Sequence, residues 1–256
     1  MHTENNQAHP TAFIPAKVGL LTSFEWHDSE RSSKLVGESE NLENSGRIAP
    51  HLSQSVLDRP GNWRANVVTV VAGLPRSGTS LLMQMLAAGG MPILSDDVRK
   101  PDEDNPRGYL ELEATKALRD DASFLADGSG RAVKIIAPML PYLPVQRGRL
   151  YRVVFTQRDL EEVLASQTVM LARLGRDPAQ TQNENASLRA AFHRQLVNSR
   201  DILAQRPDVD TLFVHYPKVV ANPMETARAI ANFVPADLDP AAMAAAMDRQ
   251  LHRQRR

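Results

Sequence analysis

The sequence predicts an α/β fold, a parallel sheet with helices on both faces, preceded by an irregular N-terminal arm. Three observations carry this. From residue 66 onward, short β-branched runs alternate with segments of helical period. The first run, Val67-Val68-Thr69-Val70-Val71-Ala72, stops at Gly73 and passes through Leu74-Pro75-Arg76-Ser77-Gly78-Thr79-Ser80 straight into an amphipathic stretch. Residues 1–65 are instead rich in Ser, Asn, Glu and His, with one short apolar patch at Phe13-Ile14-Pro15 and Val18-Gly19-Leu20-Leu21. The expected division is an irregular or partly disordered arm over 1–65 and one α/β domain over 66–256. Strands separated by helices pair in parallel and need cover on both faces.

The first strand is expected over residues 67–72. A helix follows over about 78–88 and stops at Gly89-Gly90, since glycine suits a helix C-terminus. Pro92, Pro101 and Pro106 make 91–108 a turn-rich loop. A helix is expected over 110–125 and a second strand over 132–136, ended by Pro138. The third strand covers 151–156. The next helix, 160–174, carries Leu160, Val163, Leu164, Gln167, Met170, Leu171 and Leu174 at near-helical spacing. Another spans 185–205, and the fourth strand covers 211–216. Asn222-Pro223-Met224-Glu225 has the order N-cap, N1 proline, capping-box glutamate, and opens a helix to 233. Asp239-Pro240 opens a last helix to about 251.

Strand, tight loop and helix start together aim unpaired backbone N–H groups at one point, which is an anion pocket. Arg76 and the hydroxyls of Ser77, Thr79 and Ser80 add donors. The loop of nucleoside triphosphatases reads Gly-x4-Gly-Lys-Ser/Thr. Gly73 and Gly78 keep that spacing, but Thr79 stands where the lysine belongs, and the cation sits inside the loop at Arg76. A kinase also needs an acid on its metal, whereas the later strands end at Ile136-Ala137, Thr156-Gln157 and His215-Tyr216. The sheet is thus of P-loop type, and its loop suits a phosphate- or sulfate-like anion without the usual kinase equipment.

Leu74-Pro75-Arg76-Ser77-Gly78-Thr79-Ser80 resembles the 5′-phosphosulfate loop of the sulfotransferases. These move a sulfuryl group from 3′-phosphoadenosine 5′-phosphosulfate (PAPS). In that family an arginine at a strand end and a serine eight positions on, in the next helix, hold the donor's 3′-phosphate. Arg158 and Ser166 have that spacing. The resemblance covers roughly 66–231. It implies a PAPS-dependent enzyme, with Pro75, Arg76, Ser77, Gly78, Thr79 and Ser80 around the 5′ end, Arg158 and Ser166 on the 3′-phosphate, and Tyr216 near the nucleotide. No metal is expected, because the leaving group carries fewer charges than a triphosphate. Two alternatives stay open: a non-catalytic nucleotide-binding protein on the same fold, and an atypical P-loop kinase.

The acceptor must lose a proton, so a base is wanted near the loop. Cytosolic sulfotransferases use a Lys-x-His pair after the second strand. Lys134 matches the lysine, but Ile136 replaces the histidine. Lys134 then becomes a candidate for the bridging oxygen, beside Arg76, whose guanidinium suits the leaving oxygens. Protein-tyrosine sulfotransferases have Glu-Glu-x-Arg after the first helix, and Asp96-Asp97-Val98-Arg99 stands at the matching distance. This resemblance implies Asp97 as base and Arg99 as a partner to donor or acceptor, with Glu103 and Glu111 in reserve. Asn105-Pro106-Arg107-Gly108-Tyr109-Leu110-Glu111 resembles a loop of bacterial sulfotransferases and is expected to line the acceptor side, with residues 175–184 as a second acceptor loop. The chain ends His252-Arg253-Gln254-Arg255-Arg256 in place of the Arg-Lys-Gly segment that cytosolic members close over the 3′-phosphate.

Composition narrows the partners. Lys+Arg and Asp+Glu both number 30, so no excess charge points to nucleic acid. The absence of cysteine excludes disulfides and thiolate metal sites. The histidines show no metal-ligand spacing, and no Gly-x-Ser-x-Gly elbow of an α/β-hydrolase occurs. No apolar run approaches the ~20 residues that cross a bilayer, and residues 1–10 lack a secretion signal, so a cytoplasmic location is expected. The expected acceptor is a small-molecule, glycan or peptidic hydroxyl or amine.

Overall fold

The computed structural model describes residues 66–247, apart from residues 97, 103, 104, 174, 176 and 177 and the side chains of 178–185. The expected arm over 1–65 lies outside the described residues, as do Asp97, Glu103 and the basic end 252–256. The strands are β1 (Val67–Gly73), β2 (Ala132–Ile136), β3 (Leu150–Gln157) and β4 (Val209–His215). The α-helices are α1 (Thr79–Ala88), α2 (Leu160–Arg173), α3 (Pro178–Gln205), α4 (Tyr216–Ala221), α5 (Pro223–Phe233) and α6 (Pro240–Ala245). The sheet runs β2-β1-β3-β4, with every neighbouring pair parallel.

Every residue of β1 is buried, which is why it reads as an unbroken apolar run. Val68, Val70 and Ala72 point to one core with Ile135, Val153 and Phe155, covered by Val163 and Leu164 of α2 and Phe192 and Leu203 of α3. Val71 points to the other, with Val154, Val214, Leu82 and Leu86 of α1, Ile230 of α5 and Met243 of α6. Gly73 lies opposite Ile136 and Thr156, and Gln157 opposite His215, so all four strands end together. The chain leaves β1 for β2 on one side and β3 lies on the other. A crevice therefore opens at the carboxyl ends of β1 and β3, where ligands gather in such sheets. Helix α1 closes as expected: Gly90 takes φ +97, and Met91 N–H donates to the Leu86 carbonyl at 2.9 Å.

Five expectations need correction. The helix over 110–125 is replaced by two 3₁₀ turns, Glu113–Ala117 and Ser123–Gly128. Asp96 takes the Glu113 N–H at 2.6 Å and Asp121 takes the Ser123 N–H at 2.8 Å, so aspartates satisfy donors that a continuous helix would use. Helix α3 starts at Pro178 rather than 185, because proline is tolerated in a first turn, and residues 178–184 are therefore helix and not an acceptor loop. The fourth strand stops at His215, and Tyr216 begins α4. The capping box at Asn222 does not form. Asn222 N–H already donates to the Lys218 carbonyl at 2.8 Å, which leaves Glu225 nothing to cap. The last helix ends at Ala245, short of 251, although Asp239 caps it as expected through the N–H groups of Ala241 and Ala242. Among the described residues no helix is long and apolar enough to cross a membrane.

Candidate functional site

The loop between β1 and α1 is built without room for side chains at its two glycines. A Cβ on Gly73 would fall 2.8 Å from the Thr156 carbonyl oxygen, and one on Gly78 would fall 2.4 Å from the Tyr216 ring. Gly78 has φ +105 and is the N-cap of α1, so no side chain caps the first N–H groups of that helix. Arg76 takes φ +67, unusual for a side-chain-bearing residue. Ser77 holds the turn together: its N–H and Oγ both donate to the Leu74 carbonyl, at 3.2 and 2.7 Å, and Thr156 Oγ1 donates to its carbonyl at 2.9 Å. The Ser77 hydroxyl is thus turned into the loop, whereas the sequence reading aimed it at the anion.

The second motif meets the first. Arg76 Nε donates to Ser166 Oγ at 3.0 Å, and an Arg158 NH1 donates to the Arg76 carbonyl at 3.2 Å. Arg158 also lies 4.6 Å from the Tyr216 ring centroid and pairs with Glu162 at 2.8 Å. Burial pushes the Tyr216 hydroxyl above its usual value, against the opposing charge of Arg158. Tyr216 is buried rather than a strand-end ring in water.

On the β2 side, Lys134 Nζ donates to Ser80 Oγ at 2.9 Å, to the Tyr109 carbonyl at 3.0 Å and to Glu111 Oε1 at 2.9 Å. Burial lowers the Lys134 pKa, and Glu111 partly offsets this. Burial also opposes ionisation of Glu111, but the charges and hydrogen bonds of Lys134 and Arg99 outweigh it and hold its pKa below the usual value. Arg99 bonds Glu111 at 3.2 Å and lies 3.3 Å from the Tyr109 ring centroid. Tyr109 donates to Asp102 at 2.8 Å, and burial, then this bond, push its hydroxyl up to about 12. Arg99, Lys100, Arg107, Tyr109 and Glu111 are among the residues around a cavity of about 200 Å³. Of the carboxylates singled out in the loop, Glu111 is joined to the anion loop through Lys134; Asp97 and Glu103 lie outside the described residues. Among the described residues no His, Cys, Asp or Glu group is placed to hold a metal ion.

Three side chains at this site had not been singled out from sequence. Gln84 of α1 clasps the loop through Asn105 Oδ1 at 3.1 Å and the Gly108 carbonyl at 3.0 Å. Asp102 anchors Tyr109. Glu162 pairs with Arg158, and its i,i+4 spacing was the signal that could have found it.

No family model and no curated protein matches the chain. Among solved structures it is similar to the sulfotransferase domain from the curacin biosynthetic pathway, at 14% identity and a TM-score of 0.42, covering 72% of this chain and 88% of that one. It is similar to the sulfotransferase domain from the Synechococcus PCC 7002 olefin synthase, at 18% identity and 0.44, covering 74% and 81%. It is also similar to sulfotransferase STF9 from Mycobacterium avium, at 14% identity and 0.44, covering 79% and 71%. The likeness is one of fold.

Proposed function

We propose that this protein is a sulfotransferase that moves a sulfuryl group from PAPS to a hydroxyl or amine acceptor. One observation carries the reading: the Arg158 guanidinium donates to the Arg76 backbone carbonyl at 3.2 Å, and the Arg76 guanidinium donates to Ser166, eight residues after Arg158, at 3.0 Å, so both cations stand in one crevice. A ligand with two anionic ends suits two guanidinium groups in that arrangement. The crevice fits such a donor chemically. It offers the start of α1, whose first N–H groups no side chain caps, and an aromatic ring at Tyr216 packed on Gly78.

In this reading Arg76 and the N–H groups from Gly78 to Ser80 hold the 5′ end, with Pro75 and Ser77 setting the turn before them. Thr79 and Ser80 lie in the first helical turn, and Arg158 and Ser166 take the 3′-phosphate. The acceptor's oxygen or nitrogen forms its bond to sulfur as the bond from sulfur to the 5′-phosphate oxygen breaks. Negative charge grows on that departing oxygen, and Arg76 and Lys134 neutralise it. We assign the acceptor's proton to Glu111, the carboxylate that touches both Lys134 and the acceptor-side Arg99. A weak base suffices because a loose transfer needs little nucleophile activation.

The test is calorimetry with adenosine 3′,5′-bisphosphate, the desulfonated donor. Wild-type protein is expected to bind it, Arg76→Ala to lose binding, and Arg158→Ala to weaken it strongly. A wild-type protein that stays unliganded at high micromolar nucleotide removes the proposal.

A further inference from the structure

Arg158 carries its own counter-ion. Glu162, one helical turn on, accepts the Arg158 Nε–H at 2.8 Å, and the two side chains are only 7% and 11% exposed. The glutamate is held in place from its backbone: Asp159 Oδ1 accepts the N–H groups of Glu161 and Glu162 at 2.8 and 3.3 Å, fixing the first turn of α2. A carboxylate is therefore built in beside the guanidinium that the reading above places on a 3′-phosphate.

We infer that Glu162 sets the strength of the donor grip: it neutralises Arg158 before the nucleotide arrives and limits the arginine's hold on the 3′-phosphate, so that the spent nucleotide can leave. This rests on the assignment of Arg158 under the proposed function. Two effects of the carboxylate compete. It orients the guanidinium, which favours binding, and it repels a phosphate dianion across a desolvated site, which opposes binding. Orientation has other supports. The Arg76 carbonyl and the Tyr216 ring also hold Arg158, and an amide at position 162 still accepts from Nε. An amide does not replace the charge. Interactions between charges a few ångströms apart in a partly desolvated site amount to about tenfold or more in binding, so repulsion outweighs orientation.

The experiment compares adenosine 3′,5′-bisphosphate with adenosine 5′-phosphate, which lacks the group Arg158 would hold, by calorimetry on the full chain. Wild-type protein prefers the bisphosphate. Glu162→Gln widens that preference about tenfold, through tighter bisphosphate binding alone, while the monophosphate stays within about twofold. Glu162→Asp keeps the charge and stays near the wild-type ratio. An unchanged or narrower preference in Glu162→Gln overturns the inference, because the carboxylate then only orients the arginine or supports the helix. If Glu162→Gln is too unstable for calorimetry, thermal shifts across nucleotide concentration give the same ratio, and equal rescue by the two nucleotides counts against the inference. A wild-type protein that binds both nucleotides alike removes the assignment of Arg158 itself, and the inference with it.

Discussion

Lys134 Nζ and Glu111 Oε1 meet at 2.9 Å, and only 4% of the lysine side chain is exposed against 24% of the glutamate. An ammonium that far from water persists because its three N–H groups are met by a hydroxyl, a carbonyl and a carboxylate. Removing the carboxylate leaves a buried charge with neutral partners. Glu111→Gln should therefore destabilise the fold by about 3 kcal/mol, the low end for a broken buried pair because Glu111 keeps some water. Chemical denaturation at pH 7 measures this.

The pH dependence of that loss has a definite sign. Glu111 has a folded pKa below its usual value of 4.5, so its contribution is complete above that value and disappears as pH falls through the folded value. The stability gap between wild type and Glu111→Gln should close in acid. In the variant Lys134 has no anionic partner, so its burial cost is relieved as pH rises and the ammonium gives up its proton. Part of the variant's loss should return as pH rises toward 10.5, the ordinary lysine value, below which burial holds Lys134. Melting temperatures from pH 3 to 10 check both limbs, and a constant gap would rule the ion pair out as the cause.

Gly78 and Gly90 separate loop geometry from simple backbone strain. Both have positive φ, +105 and +97, but a Cβ on Gly78 meets the Tyr216 ring at 2.4 Å and one on Gly90 meets nothing within 4 Å. Gly90→Ala should cost about 1–2 kcal/mol, the penalty for a left-handed residue, and leave nucleotide binding intact. Gly78→Ala carries the same strain and must also push Tyr216 away from Arg158. Its nucleotide affinity should fall at least tenfold, measured by calorimetry beside a denaturation curve.

Gln84 should govern the order of the loop over α1. Its side-chain amide donates to Asn105 Oδ1 and to the Gly108 carbonyl, and Asn105 Nδ2 reaches the same carbonyl at 2.7 Å. Gln84→Ala removes two of these three bonds, about 1–2 kcal/mol of local stability. Limited trypsin cleavage after Arg107 should speed up several-fold, with the melting temperature moved by only a few degrees. An unchanged cleavage rate would mean the loop is held by Asp102 and Tyr109 alone.

Strands were the legible part of this chain. The second strand was placed at its observed ends, and the others to within two residues, because buried parallel strands are continuous apolar runs whose ends are turn residues. The helices were less so. Leu110, Leu118 and Leu125 imitate a helical stripe, but Leu110 has φ +49 and aspartates on both sides satisfy the turn donors locally. The start of α3 carries no apolar stripe to announce it, and its helicity extends seven residues before the expected start. At the site, the spacing of Arg158 and Ser166 was visible because both belong to one strand–helix unit. The contact of Arg76 with Ser166 spans 90 residues and depends on β1 lying beside β3, which no local pattern states. Gln84 was invisible for the same reason: its partners lie 21 and 24 residues away on a loop without periodicity.

The proton acceptor is the sharpest difference between the sequence reading and the assignment made from geometry. The spacing argument favoured Asp97; the contacts of Lys134 favour Glu111, which bridges Lys134 and Arg99 at 2.9 and 3.2 Å. With PAPS and a phenolic acceptor, Glu111→Gln should lower kcat by about 10²–10⁴-fold, the usual loss of a general base, while bisphosphate affinity stays within about twofold. Asp97→Asn should change kcat by less than about threefold, because this assignment gives Asp97 no proton to take. The pH profile adds a second readout. A base must be ionised to accept a proton, so activity falls as pH drops through its pKa, and the cations around Glu111 set that limb below 4.5. The limb should vanish in Glu111→Gln and persist in Asp97→Asn. The opposite pattern would return the role to Asp97 and leave Glu111 as the residue that keeps Lys134 charged.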